Sequence, residues 1–256
     1  MNRDWLNTHI RPNGTRRFQP GVITLQDGNR LMEKVASDFL GLCGDVLKNK
    51  NRVTVVFGGG RTPKSMNHHI VSLFPNYNID WKRVFVFFSD DRCVPPDHID
   101  SNYRMIQETL LCFVGIPESN IYRIQGEYGP EVASLLYEKK LRQFFGNVSL
   151  PTFDLAVLGI GTDGHTASLF PNRMSLHEQQ KLVVPAGQGP EGNERVTMSY
   201  PVLNRSNNIW FLIAGEKKKN ILRKLLFGDL EPIFCPAQGI RPENGNLVYY
   251  TDQNLI

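Results

Sequence analysis

Three short segments of this 256-residue chain concentrate polar groups at the ends of apolar runs. The first, Gly58-Gly59-Gly60-Arg61-Thr62-Pro63, follows the β-branched run at 52–57. Glycines let backbone approach a ligand closely, and a helix that starts there offers unpaired N–H groups to an anion. Phosphate is the natural guest. A tight strand-to-helix turn is the plainer alternative, although one glycine usually suffices for that. Gly58, Lys64 and Ser65 stand at nucleotide P-loop spacing, but Pro63 takes the last glycine position and removes an N–H, which disfavours a triphosphate loop. The second segment is Ser89-Asp90-Asp91-Arg92. Its carboxylates can hold a metal or orient hydroxyls, and Arg92 can fork onto a phosphate or carboxylate. An internal Asp–Arg ion pair explains the same residues equally well.

The third segment is Gly159-Ile160-Gly161-Thr162-Asp163-Gly164-His165. It satisfies G-x-G-x-x-G, but it comes late in the chain and no clear long helix follows at once, so a dinucleotide fingerprint is a weak reading. A histidine on a glycine-rich loop at a strand end suits general-base chemistry better than core filling. Asp163, two residues earlier, can orient or electrostatically support His165. His68 and His69 fall within a predicted helix and read as a solvated face rather than a metal site. No serine stands in G-x-S-x-G, so a nucleophile elbow is not supported.

The elements that must carry these segments follow from periodicity. Leu31, Val35, Phe39, Leu42 and Val46 share a helical face over 27–48. Pro63 suits the first turn of a helix running to about residue 74. Ser101 is a plausible N-cap for a helix over 102–113. Another helix starts at Pro130, with Val132, Leu135, Leu136 and Leu141 expected toward the core, and a last one covers about 216–227. Buried strands are expected at 52–57, 84–88, 153–158 and 209–214, and an exposed loop at 187–192. Apolar strands alternating with helices predict an α/β fold: a mostly parallel sheet covered by helices on both faces. No domain boundary is evident, so residues 1–256 read as one domain. In such sheets ligands bind outside the carboxyl ends of the strands, where all three polar segments lie.

Composition narrows the partners. Apolar residues make 41% and charged residues 21%, a globular balance that argues against wholesale disorder. The net charge of +4 is not gathered into a basic run, so nucleic acid is not expected. No apolar run approaches the ~18 residues of a membrane span, and no membrane association is expected. Met1 to Trp5 lacks the apolar core of a signal peptide. Cys43, Cys93, Cys112 and Cys235 are widely spaced, which suggests free thiols in a reducing compartment and makes a zinc site unlikely. The cytosol is the expected location.

Taken together, the segments resemble one family. GGGRTP is similar to a GGSTP loop, and FFSDDRCVPPDHIDSNYRMIQETLL to a block of the form DERxV…SNY…LL. FDLAVLGIGTDGHTASLFPN is similar, almost residue for residue, to FDLxLLGxGxDGHxASLFP. These are patterns of the 6-phosphogluconolactonases. Arg195-Val196-Thr197 and Gly215-Glu216-Lys217-Lys218 extend the likeness, which runs from about residue 24 to 252. Glucosamine-6-phosphate deaminases have an NGH where this chain has Asp163-Gly164-His165, which favours lactone hydrolysis over deamination. The resemblance implies a deaminase/isomerase-type α/β fold. It also implies opening of a sugar-phosphate lactone in the oxidative pentose phosphate pathway, beside glucose-6-phosphate dehydrogenase. It gives His165 as base with Asp163 in support, and Gly59, Gly60, Arg61, Thr62, Asp91, Arg92 and Lys218 as substrate contacts. Neither a cofactor nor a metal is required. Arg61 departs from the family's serine and Asp91 from its glutamate.

Overall fold

The computed structural model describes residues 20–146 and 148–254. The readings made on Met1 to Trp5, and on the span of the whole chain as one domain, extend outside the described residues. Strand β1 (Gly21–Thr24) leads into helix α1 (Gly28–Asn49), which Asp27 caps by accepting the N–H groups of Asn29 and Arg30. Then come β2 (Val53–Phe57), α2 (Arg61–Leu73), β3 (Val84–Phe88) and the short β4 (Asp90–Arg92). A helical stretch with Ser101 as N-cap follows: α3 (Asn102–Ile106), a π-helical turn at Gln107–Leu111, and α4 (Cys112–Val114). The two-residue β5 (Ile121–Tyr122) precedes α5 (Pro130–Phe145) and β6 (Leu155–Gly159). The remainder is β7 (Val183–Gln188), β8 (Glu194–Met198), α6 (Tyr200–Leu203), β9 (Asn208–Ile213), α7 (Lys219–Phe227) and β10 (Asn246–Thr251).

Seven strands form one parallel sheet in the order β1-β10-β9-β6-β2-β3-β5. All five residues of β2 are buried, as expected for a central strand with both faces covered. From β2 the chain steps outward to β3 and β5. It then returns to β6 on the other side and steps outward to β9 and β10. The order therefore reverses between β2 and β6, and a crevice opens at their carboxyl ends. The Gly58 N–H donates to the Val157 carbonyl at 2.8 Å across this junction. Phe39, Phe57, Phe87, Phe88, Phe153 and Phe211 are among the largest fully buried side chains, each contributing about 1.5–3 kcal/mol of transfer free energy.

A second, antiparallel sheet, β4-β8-β7, stands beside the first. Its β7 strand carries Pro185 and a bulge between Pro185 and Gly187. Of the loop expected at 187–192, Gly187 and Gln188 instead end β7, paired with Arg195 and Glu194, and only the remainder is the turn of this hairpin. Helix α5 packs against β7 and β8. Its inward stripe is Ala133, Ser134, Tyr137 and Leu141; Val132 and Leu135, expected in the core, are exposed. The reason is polar. Tyr137 turns inward, its hydroxyl accepting the Phe88 N–H at 2.9 Å and donating to the Phe88 carbonyl at 3.1 Å. That clamp satisfies buried backbone groups at the end of β3 and fixes which face of α5 is covered. Among the described residues no helix is long and apolar enough to cross a membrane.

Candidate active site

The carboxyl ends of β2, β3, β6 and β9 meet around a cavity of about 660 Å³. After β2 the chain turns through the glycines. Gly59 has no room for a side chain, because a Cβ there would sit 1.9 Å from Asn102 Oδ1. Gly60 adopts φ +110° and serves as N-cap of α2 without a side-chain cap, so the helix opens onto the cavity with its first N–H groups uncapped.

After β6 comes the histidine loop. The Gly161 N–H donates to the His165 carbonyl at 2.8 Å, and the Gly164 N–H donates to the Gly161 carbonyl at 3.1 Å. This curl brings His165 Nδ1 within 2.6 Å of Asp163 Oδ1, which also accepts the His165 backbone N–H at 3.2 Å. Gly161 leaves the space for that pair: a Cβ there would lie 2.1 Å from the ring nitrogen and 2.3 Å from the carboxylate. The ring leans on Phe170, with centroids 4.8 Å apart. Burial pushes the Asp163 carboxyl up, but the hydrogen bond and charge of His165 outweigh it and hold Asp163 below the usual carboxylate range.

After β9, Lys218 reaches across and donates to the Ile160 carbonyl at 2.5 Å. Burial pushes its ammonium below the usual lysine range; Asp163 opposes this shift and Arg61 adds to it.

The small sheet supplies the remaining wall. Arg92 Nη1 donates to the Asp100 carbonyl at 2.9 Å and to Asn102 Oδ1 at 2.7 Å. Asp90 is 4% exposed and accepts from Ser89 Oγ and Ser168 Oγ at 2.8 and 2.6 Å. Asp91 is oriented differently. It accepts the backbone N–H groups of Asn102 and Tyr103 at 2.7 and 3.0 Å, and that of Arg92 at 2.8 Å. It caps α3 and does not line the cavity. Burial pushes its carboxyl up to about 6, against the pull of those N–H groups.

Gly59, Gly60, Arg61, Thr62, Arg92, His165 and Lys218 thus line one cavity, with Asp163 holding His165. The residues that sequence reasoning did not single out are Asn102, Glu191 and Arg195, which line the same wall. Their only prior signal was the likeness around Asn102 and Arg195, because no local pattern announces that a helix start, a hairpin turn and a paired strand bring these three to one cavity. His68 is exposed, and His69 Nε2 meets Asn29 Oδ1 at 3.1 Å, away from the cavity lining.

Comparison with known proteins agrees with this geometry. The family described as glucosamine-6-phosphate isomerases/6-phosphogluconolactonase matches residues 26–249. The 6-phosphogluconolactonase of Nostoc sp. is 31% identical over 234 residues, covering 90% of this chain and 95% of that one. That of Homo sapiens is 41% identical over 167 residues, covering 65% and 64% respectively. The solved structure of 6-phosphogluconolactonase from Thermotoga maritima superposes with a TM-score of 0.79 at 30% identity, covering 91% of this chain and all of that one (100%). The match extends through all three strand-end segments and the parallel sheet that aligns them, so this chain is an α/β enzyme that belongs to the glucosamine-6-phosphate isomerase/6-phosphogluconolactonase family.

Proposed function

We propose that the enzyme hydrolyses 6-phospho-D-glucono-1,5-lactone to 6-phospho-D-gluconate by water attack assisted by His165. The observation that carries this reading is the 2.6 Å contact between His165 Nδ1 and Asp163 Oδ1 at the edge of a cationic cavity. With Nδ1–H donating to Asp163, Nε2 is left to accept a proton. The substrate phosphate rests on the Gly59 to Thr62 backbone at the uncapped start of α2, with Arg61, Arg92 and Lys218 supplying positive charge. Gripping the remote phosphate holds the lactone carbonyl near His165 and lowers the entropic part of the barrier.

In the chemical step Nε2 takes a proton from water as the water oxygen bonds to C1, and the carbonyl electrons move onto oxygen. Collapse of this tetrahedral intermediate breaks the bond from C1 to the ring oxygen. The ring oxygen then takes the proton from the imidazolium, which Asp163 has stabilised meanwhile. No covalent enzyme intermediate is needed. The reaction belongs to the oxidative pentose phosphate pathway, in the cytosol, where glucose-6-phosphate dehydrogenase is the expected source of lactone.

The test supplies fresh lactone and glucosamine 6-phosphate in separate assays. Acid release above the spontaneous rate, without ammonia, is expected. Ammonia from glucosamine 6-phosphate would assign the cavity to deamination. Saturable binding without turnover would make the protein a sugar-phosphate-binding regulator.

A further inference from the structure

Arg92 and Arg195 are direct cross-strand partners in the β4–β8 pair. Like charges placed opposite one another in an antiparallel pair repel, so an anion is needed between them. Here that anion is a carboxylate of the protein. Glu191, on the β7–β8 turn, accepts from Arg195 Nη2 and lies 3.6 Å from Arg92 Nη2, and all three residues line the cavity of the proposed reaction.

The three side chains are not equally fixed. Arg195 is 5% exposed and Arg92 22%, whereas Glu191 is 53% exposed. Arg195 lies over Gly189, where a Cβ would come 2.7 Å from its Nε. Arg92 is anchored by Asp100 and Asn102. Glu191 stands on a turn flanked by Gly187 and Gly192, both with positive φ. Its carboxylate can leave for water, and the buried Arg195 it leaves behind still has Asp90 Oδ2 at 4.0 Å from its Nη1; the arginines themselves cannot leave. Both guanidinium groups also keep a buried Nε–H with no partner. Burial pushes the Glu191 carboxyl up, but its own backbone N–H and the charges of Arg195 and Arg92 hold it below the usual range, so it is an ionised occupant.

We propose that Glu191 is a displaceable internal occupant of the Arg92–Arg195 pair, and that the anionic group of the substrate takes the pair by exchange. The identity of that group as a phosphate rests on the proposed function; the pair and its occupant do not. Exchange makes Glu191 a specificity-determining residue. A monoanion replaces one carboxylate by its equivalent and gains little. A phosphate dianion brings a second charge and a third oxygen, able to meet the Nε–H groups that Glu191 leaves unpaired.

The experiment titrates inorganic phosphate into the full chain by calorimetry, for wild type, Glu191→Gln, Glu191→Ala and Glu191→Asp. If the pair is free about a tenth of the time in the wild type, removing the occupant tightens phosphate binding roughly tenfold. Gln and Ala are expected to show that gain, and Asp, which keeps the charge, to stay nearer the wild type. A gain in affinity is not a result that structural damage produces. Unchanged or weaker phosphate binding in folded Gln and Ala variants would overturn the exchange. Lactone turnover, read in the same samples, separates the two ideas. Turnover without a gain in phosphate affinity overturns the exchange and leaves the reaction standing. The gain in a protein that never turns lactone over supports the exchange and sinks the reaction.

Discussion

The cavity has two rims of different construction. Along the parallel sheet, the rim is largely made of backbone: Gly60 and Gly215 take positive φ, and Gly59 and Gly161 yield their side-chain space to Asn102 and to the His165–Asp163 pair. Along the antiparallel sheet, the rim is made of side chains, with Asp90, Arg92, Glu191 and Arg195 joined in one ionic cluster. The first rim depends on local conformation over a few residues. The second depends on Arg92 and Arg195 meeting across a strand pair, although they lie far apart along the chain. The backbone rim therefore holds His165 and Asp163 with little freedom, whereas the charged rim includes one carboxylate, Glu191, that is 53% exposed.

The largest test of the backbone rim removes the group it presents. His165→Ala is expected to lower kcat by ~10²–10⁴ with the fold intact, because that is what a general base typically contributes. The measurement is enzyme-catalysed acid release above background across pH; a folded variant with near wild-type kcat would move water activation to another group. Next comes the support. Gly161→Ala drives a methyl group into both partners of the His165–Asp163 contact. Displacing a catalytic group by about 1 Å can cost ~10²-fold, so kcat should drop by that order while KM moves little. An intact kcat would show that the pair tolerates displacement and that its geometry is not what matters.

Lys218 tests whether charge at the end of β9 holds the phosphate. Loss of a charge-assisted contact costs about 1.5–3 kcal/mol, so Lys218→Ala is expected to raise KM roughly ten- to hundredfold. An unchanged KM would leave Lys218 as a tether for the Ile160 carbonyl alone.

The smallest effect belongs to Asp91, behind the charged rim. Its carboxyl is raised in the folded state to about 6 by burial. A raised acid pKa means that the native state holds the proton more tightly than the unfolded chain. Its contribution to stability is therefore present below pH ~4 and lost as pH rises toward 6. A tenfold difference in proton affinity between the two states is worth about 1.4 kcal/mol, so the effect is of kilocalorie order. Asp91→Asn keeps an acceptor for the start of α3 and should flatten that part of the stability–pH curve. Urea midpoints between pH 4 and 7 read it directly, and an unaltered slope would assign it to other carboxylates.

Legibility followed the same division. Leu31, Val35 and Phe39 marked α1, and the apolar runs marked β2, β3, β6 and β9, because burial on both faces leaves a continuous apolar signature. The edge strand β1, the two-residue edge strand β5, the penultimate strand β10 and the small sheet were not marked in this way. Asp90–Arg92 does not read as a strand at all, and β7 contains Pro185 and a bulge. On α5, counting apolar residues chose Val132 and Leu135, whereas the inward stripe was decided by Tyr137 serving the Phe88 backbone.

By itself, the sequence determined the parallel α/β frame, the three polar segments at its strand ends and the pairing of Asp163 with His165, since each rests on periodicity or on contacts within a few residues. Only the tertiary structure decided that Asp91 caps a helix while its neighbour Asp90 faces the cavity, and that Arg195 and Glu191 belong to the site. Those outcomes depend on which buried backbone groups need a partner and which strands lie side by side, and both are set by packing over long sequence separations.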